Sequence, residues 1–439
     1  MNKYGLKTPF MMTLIILLCG CDFEIETTAG GRLVSTLFDL DCREIQGRCK
    51  IEDYEELIGN HSVIIALLKA IPDEGYRFSH WLGDCNQVRY HNCYVSMQGD
   101  RYVKAVFEKI EYLEEVVSSS TVRFVALGDA GEGNTTQYFV ADAMQSACDA
   151  AGGCHFAIGL GDNIYDENPI SVYDTAFETK FELPYQNIDF QFFMSLGNHD
   201  NDLVFDGLGA FNLSGDVQVA YTFRTDKLSD KWQMIDRYYH FSAPERGPDY
   251  LVDFFVLDSN PLISIPDIAP DFEIENYKRL QGDWFMSGIA HSTADWKIVY
   301  GHHPFISNGQ HGNAGAYDGV LPIGKLTSRV SGENFRQWFL ETVCDKADVY
   351  FAGHDHDLQV LNSVPECGKT IFIISGAGAK SREFKNPTPN PAYWQMDNTA
   401  GFFLVEINGN VMNLQAYTVD KSNGEYSLML DKEFYRRRH

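Results

Sequence analysis

From residue 122 onward the chain repeats one hydrophobic and polar pattern: a short apolar run, a glycine, then a polar side chain. Phe124-Val125-Ala126-Leu127 leads into Gly128-Asp129, Phe156 to Leu160 into Gly161-Asp162, and Phe192 to Leu196 into Gly197-Asn198-His199-Asp200. The pattern returns at Ile298-Val299-Tyr300 before Gly301-His302-His303-Pro304, and at Val349-Tyr350-Phe351-Ala352 before Gly353-His354-Asp355-His356. Each run has strand length, and stretches between them, such as Gln137 to Cys148 and Tyr277 to Gly288, space their apolar residues as helices do. Strands alternating with helices predict an α/β core whose site lies beyond the carboxyl edges of the strands. Glycine at each strand end is expected to let the backbone turn tightly and approach a ligand.

Upstream the pattern changes. Val63 to Leu68, Cys93 to Met97 and Tyr102 to Phe107 read as short strands, with turns at Pro72-Asp73-Glu74-Gly75 and Gln98-Gly99-Asp100. Residues 22–112 therefore predict a small all-β module with Trp81 and Phe107 in its core. The Glu114-Glu115 pair and Ser118-Ser119-Ser120 mark residues 113–121 as a linker to a domain over 122–439. At the start, Lys3 and Lys7 precede an apolar run from Phe10 to Leu18, too short to span a bilayer but suited to the centre of a secretory signal over 1–21.

Composition narrows the partners. Lys plus Arg total 35 against 61 Asp plus Glu in 439 residues, a net charge of −26. Such a field repels polyanions and excludes non-specific nucleic-acid binding, so an anionic substrate needs a locally cationic site. The short Arg436-Arg437-Arg438 tail reads as solvated. Apart from Cys19 and Cys21, the cysteines number an even eight, which points to disulfides after export. Closeness in sequence pairs Cys42 with Cys49, Cys85 with Cys93 and Cys148 with Cys154, leaving Cys344 for Cys367. Zinc is the competing reading, unsupported by any Cys-x-x-Cys spacing. Leu18-Cys19-Gly20-Cys21 resembles the bacterial lipoprotein cleavage box, with simple cleavage as the alternative. The resemblance implies a lipidated Cys21 and an exported lipoprotein on the periplasmic or extracellular side, touching the membrane only through its anchor.

The candidate chemistry centres on Gly161-Asp162-Asn163-Ile164-Tyr165-Asp166, which gathers two carboxylates, a carboxamide and a phenol at one strand end. Alone this is also an ordinary turn sequence. Five strand ends delivering Asp129, Asp162 with Tyr165, Asn198, His302, and the His354-x-His356 pair form a mixed oxygen and nitrogen set large enough for two metals. These blocks, together with His311 in a Gly-rich loop and Ser375-Gly376-Ala377-Gly378, resemble the calcineurin-like metallophosphoesterases. Within them the likeness is to the mammalian-type, tartrate-resistant branch of the purple acid phosphatases.

That resemblance implies two packed mixed β-sheets flanked by helices, an αββα sandwich following the small disulfide-stapled domain. It implies that Asp129, Tyr165 and His356 hold one metal, that Asn198, His302 and His354 hold the other, and that Asp162 bridges them. The expected centre is Fe(III) with a divalent iron, zinc or manganese, because carboxylate and phenolate are hard donors. The expected reaction on small phosphorylated substrates is phosphomonoester hydrolysis by a metal-activated hydroxide. His311 is expected to help protonate the leaving alkoxide and His199 to bond the phosphoryl group or assist that transfer. Asp166 and Asp200 read as orienters or turn caps, and His303 receives no role. A phosphodiesterase or nucleotidase could use the same metals, with specificity in loops such as Asn201 to Asp230. The segment Gly75 to Cys85, with Cys93 and Val103 to Phe107, resembles divergent internalin-B-type repeats. This leaves a surface partner, and an adhesion protein built on a phosphatase-like scaffold, as an alternative function.

Overall fold

The computed structural model describes residues 22–35, 40–43, 49–51, 65–73, 76–85, 87–89, 92–96, 99–109, 121–166, 168–202, 212–244, 250–264, 269–317, 331–385 and 389–436. The expected signal through Cys21, most of the linker, and Arg437 and Arg438 lie outside these residues. The chain divides into two compact units, Met1–Glu114 and Glu115–His439.

The first unit is all β among its described residues. Strands β1 (Phe23–Thr27), β4 (Cys49–Ile51), β6 (Tyr76–Gly83) and β9 (Arg101–Lys109) form one sheet, in the order β4-β1-β9-β6. Strands β2 (Gly31–Ser35), β3 (Leu40–Arg43), β5 (Ile65–Pro72), β7 (Gln87–Arg89) and β8 (Asn92–Ser96) form the other, in the order β3-β2-β5-β8-β7. Alternate side chains point inward, so Phe23, Ile25, Leu33, Leu68, Phe78, Val95, Val103, Ala105 and Phe107 make one core. Trp81 is only half-buried and packs on its margin. Cys42–Cys49 and Cys85–Cys93 are bonded, closing short loops that a core this small cannot hold by burial alone.

The second unit holds two seven-stranded sheets. The first contains β10 (Thr121–Leu127), β11 (Phe156–Gly159), β12 (Gln191–Met194), β13 (Trp232–Gln233), β21 (Ala400–Asn408), β22 (Val411–Val419) and β23 (Tyr426–Tyr435). Its order is β13-β12-β11-β10-β21-β22-β23, parallel from β13 to β10 and antiparallel beyond. The second contains β14 (Tyr239–Ala243), β15 (Val252–Val256), β16 (Trp296–Tyr300), β17 (Val349–Ala352), β18 (Leu358–Leu361), β19 (Ile371–Ser375) and β20 (Ala392–Met396). Its order is β14-β15-β16-β17-β19-β18-β20, parallel from β15 through β17 to β19. The sheets meet through aromatic side chains: the rings of Phe124 and Phe156 contact Phe254 edge-on at 5.2 and 5.3 Å. Each such buried ring contributes roughly 2–3 kcal/mol over an exposed one.

Helices cover the outer faces. α1 (Thr135–Ala150) starts where the Asn134 side chain accepts from the Gln137 N–H. Val140, Met144 and Ala147 form its buried stripe, and the Cys148–Cys154 disulfide closes its exit. α2 (Gly215–Tyr221) is short and lies in the stretch between Asn201 and Asp230. α3 (Ile274–His291) buries Tyr277, Gln281, Phe285 and Ile289 at four-residue intervals, and α4 (Glu333–Thr342) buries Phe335, Trp338 and Phe339. Both pack into the core cluster that also holds Phe255, Tyr350 and Phe372. Cys344–Cys367 pins the segment after α4 to the entry of β19. The α/β sandwich, the all-β module and all four disulfides agree with the sequence expectation.

Candidate metal centre

The carboxyl ends of β10, β11, β12, β16 and β17 bring together Asp129, Asp162, Tyr165, Asn198, His302, His354 and His356, all buried. The arrangement has two halves. In one, the Tyr165 hydroxyl lies 3.1 Å from Asp129 Oδ1, 3.0 Å from Asp162 Oδ2 and 3.3 Å from His356 Nε2. In the other, His302 Nε2 lies 2.9 Å and His354 Nδ1 3.0 Å from Asn198 Oδ1, and the two nitrogens are 3.1 Å apart. Asp162 faces both, since its other oxygen, Oδ1, is 3.4 Å from His302 Nε2.

Donor atoms about 3 Å apart are spaced like neighbouring ligands around an ion with bonds of about 2.1 Å. The histidine geometry also fits: His302 Nδ1 donates to the Leu160 carbonyl at 2.8 Å, so the Nε2 lone pair points into the centre. Burial would push the Asp162 carboxyl up, but His302, His199 and His356 together with the His199 N–H hold it below the usual carboxylate range. Burial and the flanking Asp129 and Asp162 carboxylates push the Tyr165 phenol up. A phenolate there requires added positive charge, which a metal ion supplies. The residues present therefore fit a metal centre.

The backbone is bent to build it. Asp129, Asp162 and His354 take positive φ angles of 57°, 53° and 68°, a conformation uncommon outside glycine. Of the two uses expected of the strand-end glycines, the tight turn falls to Gly161, at φ 83°, and the close approach to Gly197 and Gly353, where it is the missing Cβ that matters. A Cβ on Gly197 would lie 2.2 Å from Asp162 Oδ1, and one on Gly353 2.5 Å from Asp129 Oδ2. The Ser375 to Gly378 segment lies against the same strand end, with Gly378 N donating to the Gly128 carbonyl at 3.0 Å.

Both expected catalytic histidines adjoin the centre. His199 donates its N–H to Asp162 Oδ1 at 3.0 Å, and its ring centroid lies 4.6 Å from that of Tyr165. His311 is held by its N–H to Asp355 Oδ1 at 2.8 Å, with its ring 4.1 Å from His354. Asp200 orients the site rather than joining the donor set. Its Oδ1 accepts from the N–H groups of Asn163 and Ile164 and from Gln218 Nε2, at 2.9, 3.2 and 2.7 Å. Its Oδ2 accepts from Gly197 N and Asn163 Nδ2 at 2.7 and 3.2 Å, tying the loops that carry Asp162 and Asn198 together. Asp166 is exposed.

Sequence reasoning missed two contributors. His303, given no role, is buried, bonds Ser259 Oγ through Nδ1 at 2.8 Å, and lies 4.6 Å ring to ring from His354. Arg237 is buried between Asp258, Asp216 and Asn201, with bonds of 2.7, 2.9 and 2.8 Å. Asn201 in turn donates to the Gly197 carbonyl at 2.7 Å, so Arg237 braces the Asn198 loop. The Gly301-His302-His303 doublet was the available signal for the first; nothing local in sequence marks the second.

A strand-end cluster of this composition on a two-sheet sandwich defines a metal-dependent phosphoesterase. The calcineurin-like phosphoesterase family model matches residues 122–358, and the divergent InlB B-repeat model matches 60–111. The chain belongs to the calcineurin-like phosphoesterases. Among its homologues, purple acid phosphatase 7 of Arabidopsis thaliana is 27% identical over 341 residues, covering 71% of this chain and 92% of the relative. Human tartrate-resistant acid phosphatase type 5 is 28% identical over 319 residues, covering 68% and 87%. The metallophosphatase class expected from sequence is the one these homologues share. Of solved structures, the Plasmodium protein GAP50, described as the anchor in the inner membrane complex, superposes with a TM-score of 0.54 at 18% identity, covering 72% of this chain and 90% of its own. That likeness concerns the fold alone.

Proposed function

We propose that the chain is a dinuclear acid phosphatase that hydrolyses phosphomonoesters. One observation carries the reading: Asp162 turns one oxygen to Tyr165, at 3.0 Å, and the other to His302, at 3.4 Å, the placement a bridging carboxylate needs. Asp129, Tyr165 and His356 would hold Fe(III), and Asn198, His302 and His354 a divalent ion, with Asp162 common to both. The metals, when bound, supply a nucleophilic water at neutral pH and neutralise charge on the phosphoryl oxygens. His199 is poised beside Asp162 to bond the phosphoryl group, and His311, over His354, to protonate the departing alkoxide.

Resemblance to the tartrate-resistant phosphatases favours monoesters over the diesterase and nucleotidase readings. The intact donor set with both histidines favours catalysis over an adhesion scaffold. Hydrolysis of para-nitrophenyl phosphate and its bis-ester by the metal-loaded chain tests this: turnover of the monoester supports it, and a diester-only profile overturns it. Export with lipid on Cys21 is part of the proposal, supported by four disulfides, which persist in oxidising compartments. A surface partner for the N-terminal unit is likewise proposed, on its match to a repeat family.

A further inference from the structure

We infer that Arg382 selects substrates whose leaving group carries a second anionic group, a carboxylate or another phosphate. The inference rests on the phosphomonoesterase reading above and names the substrate class of that same site.

In a chain of net charge −26, Arg123, Arg224, Arg237, Arg279, Arg336 and Arg436 of the second unit each pair with a carboxylate. Arg382 has no carboxylate partner among the described residues. It is exposed, and its guanidinium contact is Nη1 to His311 Nε2 at 3.3 Å. The neighbouring cations are otherwise engaged. Lys380 Nζ pairs with Glu132 Oε1 at 2.6 Å, and Lys421 Nζ donates to Ser381 Oγ at 2.7 Å.

The backbone beneath Arg382 is fixed. Its N–H donates to the His356 carbonyl at 2.9 Å, its carbonyl accepts from Asn398 N at 2.9 Å, and Gln310 Nε2 donates to the next carbonyl, of Glu383, at 2.7 Å. The guanidinium is thus carried by backbone bonded directly to a residue of the metal centre, which lowers the ordering cost of using it. Its place in the contact sequence gives its target. His311 lies against His354, and Arg382 lies against His311, one side chain further from the centre. A phosphoryl group held between the metals and His199 would have its ester oxygen towards His311, and the leaving group would extend past it to Arg382. A planar cation there matches a carboxylate or phosphate in fork geometry.

The test is binding of non-hydrolysable probes to the full metal-loaded chain, by calorimetry: benzylphosphonate against its meta- and para-carboxy derivatives. The parent is expected to prefer at least one carboxylated probe by about fivefold, the size of an exposed charge pair. Arg382→Ala brings the ratio to about one, and Arg382→Lys keeps about half of the preference. No preference in the parent for either isomer, or an undiminished preference in Arg382→Ala, overturns the inference. Phenyl phosphate hydrolysis by the parent is measured separately; its absence counts against the proposed function, while the probe ratio still decides the role of Arg382.

Discussion

Replacing Asp200 by Asn removes one charge and changes almost no volume, yet it should damage both the fold and the metal centre. Five donors converge on the two buried carboxylate oxygens: three on Oδ1 and two, Gly197 N and Asn163 Nδ2, on Oδ2. A carboxamide keeps one acceptor oxygen. With that oxygen at the three-donor position, its NH2 faces Gly197 N–H and Asn163 Nδ2; flipped, it faces the other three. At least two buried donors are then left facing a donor, at about 1–3 kcal/mol each. Allowing for relaxation, the loss is about 3 kcal/mol, a large fraction of the roughly 5–15 kcal/mol that holds a domain folded. Because Asp200 links the Asp162 and Asn198 loops, metal affinity should fall about 10- to 100-fold, as when groups supporting a ligand are lost. Urea unfolding at neutral pH, followed by the fluorescence of buried Trp232 and Trp296, measures the first effect, and metal titration of the apo protein the second. Asp230→Asn is the control: the same charge is removed from a side chain that is 94% exposed, at a cost of about 0.5 kcal/mol or less. If Asp200→Asn matches this control in stability and metal affinity, the reasoning is refuted.

Asp162→Ala should lose metal from both halves and at least about 1000-fold in kcat; metal content per chain and phenyl phosphate turnover check this, and full loading would contradict the bridge. His311→Ala should cost about 100-fold in kcat for alkyl phosphates and markedly less for para-nitrophenyl phosphate, whose leaving group needs little protonation. An equal loss on both would show that His311 is no acid. Burial, His302 and His311 hold the His303 imidazole well below its ordinary range, so the unfolded chain takes up a proton that the folded metal-free chain does not. His303 therefore contributes stability above about pH 6.5 that is lost as the pH falls, by up to about 1.4 kcal/mol per unit. Denaturant midpoints of the apo chain from pH 7.5 downward should fall less steeply in His303→Gln.

The strand-end pattern was legible because each apolar run is buried between sheet and helix or sheet and sheet, which leaves little room for polar residues until the strand stops. Disulfide pairing was legible because each partner is near in sequence, from 6 residues apart in Cys148–Cys154 to 23 in Cys344–Cys367. The positive φ at Asp129, Asp162 and His354 was not legible, since no local rule places three non-glycine residues there; contacts from other strands impose it. Likewise Gly197 is needed for its closeness to Asp162, 35 residues earlier in the chain, not for its own φ. The Asn201 to Asp230 stretch gave no reading because the use of its short helix α2, presenting Gln218 to Asp200, depends on tertiary contacts alone. Arg382 was equally silent, as its meaning lies in standing beside His311 with no carboxylate partner among the described residues.

The account stands most directly on metal analysis of the purified active protein combined with its visible spectrum. Two metal ions per chain, one of them ferric, with a broad visible band that disappears in Tyr165→Phe, is the predicted result. A colourless, active protein with two manganese ions would remove the ferric assignment to Tyr165. An active protein holding a single metal ion per chain, or none, would contradict the dinuclear centre on which the proposed chemistry rests.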